Sequence, residues 1–83
     1  MTRQEVTLQE TIMTLLEARA PGKTICPSEA ARKAFPDEWR DHMETTRQVA
    51  IQLVDLGELE ICQGGKVIDF QNFSGPIRLR KRN

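Results

Sequence analysis

The chain has 83 residues, of which 39% are hydrophobic and 29% are charged, with twelve basic and twelve acidic side chains. This length suits one small domain, and the zero net charge excludes a protein that is attracted as a whole to DNA or to an anionic membrane. The charge is uneven, because residues 64–83 carry five bases and one acid. We therefore expect a single domain over residues 1–83, with a flexible basic tail from about residue 79 to residue 83.

Cysteine spacing and hydropathy indicate the compartment. Cys26 and Cys62 lie far apart without a CxxC or Cys/His spacing, the N-terminus does not resemble a signal peptide, and no apolar run approaches the roughly 20 residues that cross a bilayer. His42 is the only histidine and has no second ligand nearby in the sequence, so we expect it on the surface. These features predict a cytoplasmic protein with reduced thiols, no membrane partner, no metal and no other cofactor.

The first predicted helix has apolar residues at helical spacing: Leu8, Ile12, Leu15 and Leu16. Two capping boxes compete for its start, one formed by Thr2 with Glu5 and the other by Thr7 with Glu10. The Pro21-Gly22 pair ends the helix in either case. The sequence leaves the choice between the two starts open.

Residues 24–57 show the order of a helix-turn-helix. Thr24–Cys26 favours a short strand, which we expect to pair with the hairpin that comes later in the chain. Pro27 suits the first position of a helix, because proline lacks the N–H that this position leaves unpaired, and Cys26 then becomes the N-cap. Pro36 prevents this helix from continuing beyond about Phe35.

The second helix of this pair ends at Gly57 and has an inner face of residues three and four apart: Trp39, Met43, Thr46, Ala50 and Leu53. Asp37 and Asp41 are alternative caps, so a continuous helix from about Glu38 and a break near Asp41 are both open. Trp39 is the only tryptophan, and we expect it to be buried and to anchor the turn between the two helices.

The last third of the chain predicts strands. Residues 58–70 alternate in polarity around Gly64-Gly65, which supplies the positive φ of a tight hairpin. Residues 77–80 alternate between apolar and basic side chains, as on a half-buried strand. With the three helices, these strands predict an α+β fold, a winged helix-turn-helix with a small antiparallel β-wing.

This fold predicts which side chains would contact double-stranded DNA. The second helix of a helix-turn-helix enters the major groove, so Thr45, Arg47 and Gln48 are the predicted base contacts, and Arg40 suits either role. Phosphate contacts are predicted at the other basic candidates: Arg32, Lys33, Lys66, Arg78, Arg80 and Arg82. Acidic side chains on the same helix oppose DNA binding, because they repel phosphates. The hypothesis therefore also includes a regulatory module of this fold.

Two other functions compete with DNA binding. Near-neutral charge and apolar inner faces suit a protein-interaction or dimerisation winged helix, whose partner is another protein or a second copy. A thiol-based sensor is the third hypothesis, because the helix N-terminus and nearby Lys23 favour the thiolate of Cys26. No base is positioned beside Ser28 and no glycine loop could hold a phosphate, so we expect no enzymatic activity and no catalytic residue.

Two motifs stand out, Lys23-Thr24-Ile25-Cys26-Pro27-Ser28-Glu29 and Gly75-Pro76-Ile77-Arg78-Leu79, together with these single residues: Ala31, Arg32, Trp39, Arg40, Met43, Arg47, Gly57, Lys66 and Asp69. Over nearly the whole chain, they resemble a small bacterial domain-of-unknown-function family with a winged-helix-like fold. The resemblance implies no established activity, substrate or cofactor.

The resemblance also implies two structural details. Family members often carry proline where this chain has Glu44, which implies that the second helix starts near Met43. Its first turns would then contain Thr45, Arg47 and Gln48. The resemblance implies that Glu29 or Asp69 forms an ion pair that joins helix and wing. The partner of either acid would be one of three arginines: Arg32, Arg40 or Arg78.

Overall fold

The structure is a computed structural model that describes residues 2–69 and 75–82. Its elements follow the chain in this order: α1 (Arg3–Glu17), β1 (Thr24–Ile25), α2 (Pro27–Ala34), a 3₁₀ turn (Trp39–His42), α3 (Met43–Asp55), β2 (Leu59–Gln63), β3 (Lys66–Val67) and β4 (Arg78–Lys81). Over these residues the fold is α+β, with three α-helices and a four-stranded antiparallel sheet. The predicted end of the hairpin at Phe70 lies outside the described residues.

Helix α1 uses the first of the two predicted capping boxes. Thr2 Oγ1 accepts from the Glu5 N–H at 3.2 Å, and the Glu5 carboxylate accepts from the Thr2 N–H at 2.9 Å. The hydrogen bond from the Thr2 N–H holds the pKa of Glu5 below its usual value, because it favours the charged carboxylate. The predicted stripe is buried at Leu8, Ile12 and Leu16, so α1 packs its apolar face inward.

Helices α2 and α3 are joined by a break that proline causes. α2 begins at Pro27 and ends one residue before the predicted Phe35, because Pro36 cannot continue it. α3 begins at Met43 after the 3₁₀ turn, so the break near Asp41 is the observed alternative, at the boundary that the family resemblance implies. The buried Ala30 on α2 leaves room for the neighbouring helices to approach closely.

The sheet has the strand order β1-β4-β2-β3, so the last strand in the chain lies inside it. β4 pairs Leu79 with Ile25 of β1 on one side and with Ile61 of β2 on the other. The prediction that β1 pairs with the hairpin is therefore wrong, since β4 separates them. The prediction of a flexible tail from about residue 79 is also wrong. Leu79 is fully buried, and β4 continues through Lys81 because both of its edges are hydrogen-bonded.

The core lies between the helices and the sheet. Its members are the buried apolar side chains of all three helices and of β1, β2 and β4: Leu8, Ile12, Leu16, Ile25, Ala30, Val49, Ala50, Leu53, Leu59, Ile61, Ile77 and Leu79. Burial of this apolar surface is the main favourable term that holds the domain together.

The burial of two residues in the 3₁₀ turn, His42 and Trp39, differs from the predictions. His42, expected on the surface, is only 8% exposed, because its ring stacks on Phe35 with the centroids 3.9 Å apart. The His42 carbonyl accepts from the buried Thr46 hydroxyl at 2.7 Å, which ties the turn to α3. Trp39, expected to be buried, is half-buried, so one part of the indole remains at the surface.

Candidate functional site

The start of α2 carries the densest polar cluster on the described chain. The Cys26 N–H donates to the Glu29 carboxylate at 3.1 Å, which satisfies one of the donors that a helix start leaves unpaired. The other oxygen of Glu29 lies 2.6 Å from Arg19 Nη2. The family resemblance implied Arg32, Arg40 or Arg78 as the partner of Glu29, and the ion pair is instead with Arg19, which follows α1 in the chain.

Glu29 is held in its charged form. Partial burial raises the pKa of Glu29, but the hydrogen bonds from Cys26 and Arg19 and the positive charges of Arg19 and Arg78 outweigh it. The pKa of this carboxyl therefore lies below its ordinary value. A carboxyl whose pKa is lower in the folded state than in the unfolded state stabilises the fold at any pH above its unfolded-state pKa. This contribution is lost as the pH falls through the folded-state pKa.

This pKa shift predicts a pH-dependent effect of Glu29→Gln. At pH 7 the variant should be less stable than the native protein by about 0.5–1 kcal/mol, since it loses a half-exposed ion pair and a charged cap. The difference should shrink as the pH falls below about 4, because the unfolded-state carboxyl is protonated first and the native carboxyl follows at its lower pKa. Thermal unfolding followed by circular dichroism from pH 7 to pH 3 measures it. Glu17→Gln, at an exposed residue at the end of α1, is the control; an equal loss at both positions would contradict the prediction.

Arg78 connects β4 to β1 and to the start of α2. Its Nε donates to Thr24 Oγ1 at 2.9 Å and its Nη2 reaches the Thr24 carbonyl at 3.4 Å. Its Nη1 lies 2.7 Å from Cys26 Sγ. The register explains this contact: β1 pairs Ile25 with Leu79, so the next residues along the two antiparallel chains, Cys26 and Arg78, face each other.

A cavity of about 340 Å³ lies beside the Cys26 thiol. Three segments line it: the start of α2, the first turns of α3, and residues 75–77 before β4. Cys26 and Ser28 contribute a thiol and a hydroxyl, Arg47 contributes a cation, and Met43 adds an apolar wall. The two motifs that carry the family resemblance, far apart in sequence, thus meet at one cavity with Arg47.

The predicted base contacts lie on two sides of α3. Arg47 faces the cavity beside α2, whereas Thr45 and Gln48 line a groove against the start of α1. Glu44 lies between them, because its carboxylate accepts from Gln48 at 3.1 Å and is 3.8 Å from Arg47 Nη1. The structure therefore places the three predicted base contacts around one acidic side chain.

Two of the predicted phosphate contacts, Arg78 and Arg80, lie on the same face of β4, opposite the buried Leu79. Arg80 pairs with Glu60 across the sheet at 3.3 Å, and Arg78 is engaged by Thr24 and Cys26. Lys66 is exposed on β3. Arg32 and Arg40 lie beside the same indole, with their guanidinium carbons 4.3 and 4.6 Å from the centre of the Trp39 ring.

Sequence reasoning missed two features of this region. It treated Trp39 as an anchor of the turn, although an arginine beside the indole and another on the preceding helix were visible as a signal for stacking. It also missed Arg19 as the partner of Glu29, because no local spacing relates a residue after α1 to the start of α2. Residues 2–69 and 75–82 contain no cluster of three acidic, histidine or cysteine side chains that could hold a metal ion. They contain no helix long and apolar enough to span a bilayer.

Fold and site together define a small α+β domain in which an arginine of the central strand contacts a cysteine at a helix start. A family described as protein of unknown function (DUF3253) matches residues 5–82, so the chain belongs to this family. This match confirms the predicted membership of a domain-of-unknown-function family. No curated protein matches the chain.

Proposed function

We propose that the chain is a winged-helix module that binds double-stranded DNA through α3. The order of elements supports the winged-helix assignment, since β1 lies between α1 and α2 and a hairpin follows α3. One observation carries the function. The first turns of α3 carry exposed side chains on both sides, Arg47 (46% exposed) towards α2 and Gln48 towards α1, and a helix-turn-helix presents its base contacts on these turns.

The side chains available on α3 suit direct base contacts. Arginine can donate two hydrogen bonds to a guanine edge, and glutamine can pair with adenine in the same groove. Arg47 and Gln48 are the residues in these roles, and Thr45 is half-buried at the edge of the same turn. Exposed Lys66 on the hairpin supplies a phosphate contact outside α3. Glu44 limits the affinity, because its charge opposes the approach of phosphates.

Salt dependence of DNA binding tests this function. The native protein should bind a random-sequence duplex at about 20 mM salt, and the affinity should fall with a log-log slope of about −3, as expected for a few phosphate contacts. Fluorescence anisotropy with a labelled duplex measures the slope. No binding at the lowest salt would reject the function. Self-association or partner binding that persists after nuclease treatment would then favour the interaction or dimerisation module.

A thiol-based sensor at Cys26 is a second candidate function, and the Arg78 contact favours it. A guanidinium N–H lies 2.7 Å from the sulfur and can donate to it, and the thiolate is the nucleophilic form of cysteine. A hydroperoxide would transfer one oxygen atom to this sulfur, leaving sulfenic acid on the protein and releasing hydroxide or alkoxide. Because Cys26 caps α2, the modification would act on the helix that precedes the proposed DNA-binding helix.

This second function predicts that Arg78→Met slows the alkylation of Cys26 at pH 7 by about threefold or more, since the sulfur loses its cationic donor. Iodoacetamide labelling followed by mass spectrometry measures the rate, and buried Cys62 is the internal reference. Arg80→Met is the matched control, because it changes the same strand and leaves the Cys26 contact in place. Faster alkylation of Arg78→Met would show that Arg78 only covers the thiol.

A further inference from the structure

Trp39 holds two arginines from different elements. Arg32 lies on α2 and Arg40 within the 3₁₀ turn, and both guanidinium carbons lie within 5 Å of the centre of the same indole, at 4.3 and 4.6 Å. This distance is typical of a cation–π contact, in which the flat guanidinium lies against the ring face. Such a contact fixes the orientation of the planar guanidinium group and leaves the N–H groups at its edge free to donate hydrogen bonds.

Arg32 and Arg40 differ from three other arginines because neither has an ion-pair partner among the described residues. Arg19, Arg47 and Arg80 each have a carboxylate partner, whereas neither Arg32 nor Arg40 has one in residues 2–69 and 75–82. Both are exposed. This stack is therefore a place where positive charge is oriented and exposed without being held in an ion pair.

We propose that Arg32, Trp39 and Arg40 form a clamp for the phosphate groups of a DNA backbone, an inference that rests on the proposed DNA-binding function. A guanidinium can donate two parallel hydrogen bonds to phosphate oxygens, and the indole holds both guanidiniums before the duplex arrives. Trp39 is a positioning residue in this clamp, since it acts through the arginines.

The location of the clamp suits this role. Arg32 lies on the first helix of the pair, and Arg40 lies three residues before the start of α3 at Met43. Phosphate contacts fix the register and orientation of a protein on the duplex without reading sequence. The clamp would therefore set how α3 enters the groove, while Arg47 and Gln48 contact the bases.

Four variants test the clamp by anisotropy at several salt concentrations. Arg32→Ala/Arg40→Ala should weaken binding to every duplex equally and reduce the magnitude of the log-log salt slope by about two. Trp39→Leu should keep the slope but lower the affinity about threefold to tenfold, because two arginine side chains must then be ordered on binding. Trp39→Phe should stay within about twofold of the native protein, since it keeps an aromatic face. Lys23→Ala is the matched control, because Lys23 is exposed before β1 in a groove against the end of α1 and is not a predicted DNA contact.

Trp39 also supplies a direct signal, since it is the only tryptophan in the chain. Its fluorescence should change as the native protein is titrated with duplex, with the same midpoint as the anisotropy. Circular dichroism verifies the fold of each variant. If Trp39→Leu fails to fold, the double arginine variant still tests the clamp, because it retains Trp39. Absence of DNA binding by the native protein would overturn both the function and the clamp. Native binding, with the double arginine variant indistinguishable from Lys23→Ala, would overturn the clamp alone.

Discussion

Leu79→Ala is expected to lower the free energy of unfolding by about 2–5 kcal/mol, the largest effect that we predict for a single substitution. Leu79 is fully buried on β4 and lies between Ile25 and Ile61 on the neighbouring strands. Truncation removes apolar contacts and leaves a cavity that the surrounding sheet and helices cannot fill completely. A domain of this size has a total stability of about 4–12 kcal/mol, so the loss is a large fraction of it.

Urea unfolding and thermal unfolding, both followed by circular dichroism, measure this effect. We expect the melting temperature to fall by roughly 8–40 °C, given about 4–8 °C per kcal/mol for a small domain. Lys81→Ala is the control on the same strand, where the side chain is exposed and the expected change is within about 0.5 kcal/mol. If Leu79→Ala and Lys81→Ala were equally mild, residues 79–81 would behave as the flexible tail expected from the sequence and not as a central strand.

Opposite changes in DNA affinity are expected for Arg47→Ala and Glu44→Gln. Arg47→Ala should weaken specific binding about fivefold to a hundredfold, the range for loss of one good base contact. Glu44→Gln should strengthen binding about threefold or more at low salt, because the Glu44 side chain is 74% exposed and its charge faces both Arg47 and Gln48. The gain should fade as added salt screens the charge.

Asp55→Asn is the control for the acidic substitution. Asp55 is exposed at the last turn of α3, so the variant removes the same charge from the same helix but far from Arg47. An equal gain from Asp55→Asn and Glu44→Gln would indicate a response to net charge alone. If Arg47→Ala and Glu44→Gln both left binding unchanged while the native protein bound DNA, α3 would not be the contacting helix.

The local elements could be predicted because their signals are local. Apolar spacing located α1, proline and glycine marked the ends of the helices, and Gly64-Gly65 marked the β2–β3 hairpin, where both glycines have positive φ. The position of β4 could not be predicted in the same way. The alternation of residues 77–80 indicates a strand, but it does not specify which strands will lie beside it.

Local positions in the candidate site could be predicted from the sequence, but long-range contacts could not. Cys26 at the cap of α2 followed from Pro27, whereas the Arg78 contact joins residues 52 positions apart and depends on the register of β1 with β4. The burial of His42 depends on how the turn after Pro36 places its ring on Phe35. Single-sequence spacing carries no information on such long-range or turn-dependent contacts.

The inner position of β4 has a consequence for the order in which the domain forms. A growing chain that ends before residue 78 contains the segments of all three helices and of the β2–β3 hairpin, but β1 has no strand to pair with. Ile25 and Ile61 then lack the partner that joins them, so the sheet closes only when the last residues become available. We therefore expect the sheet to form in one late cooperative step, with a rate limited by contacts between residues that are far apart in the chain.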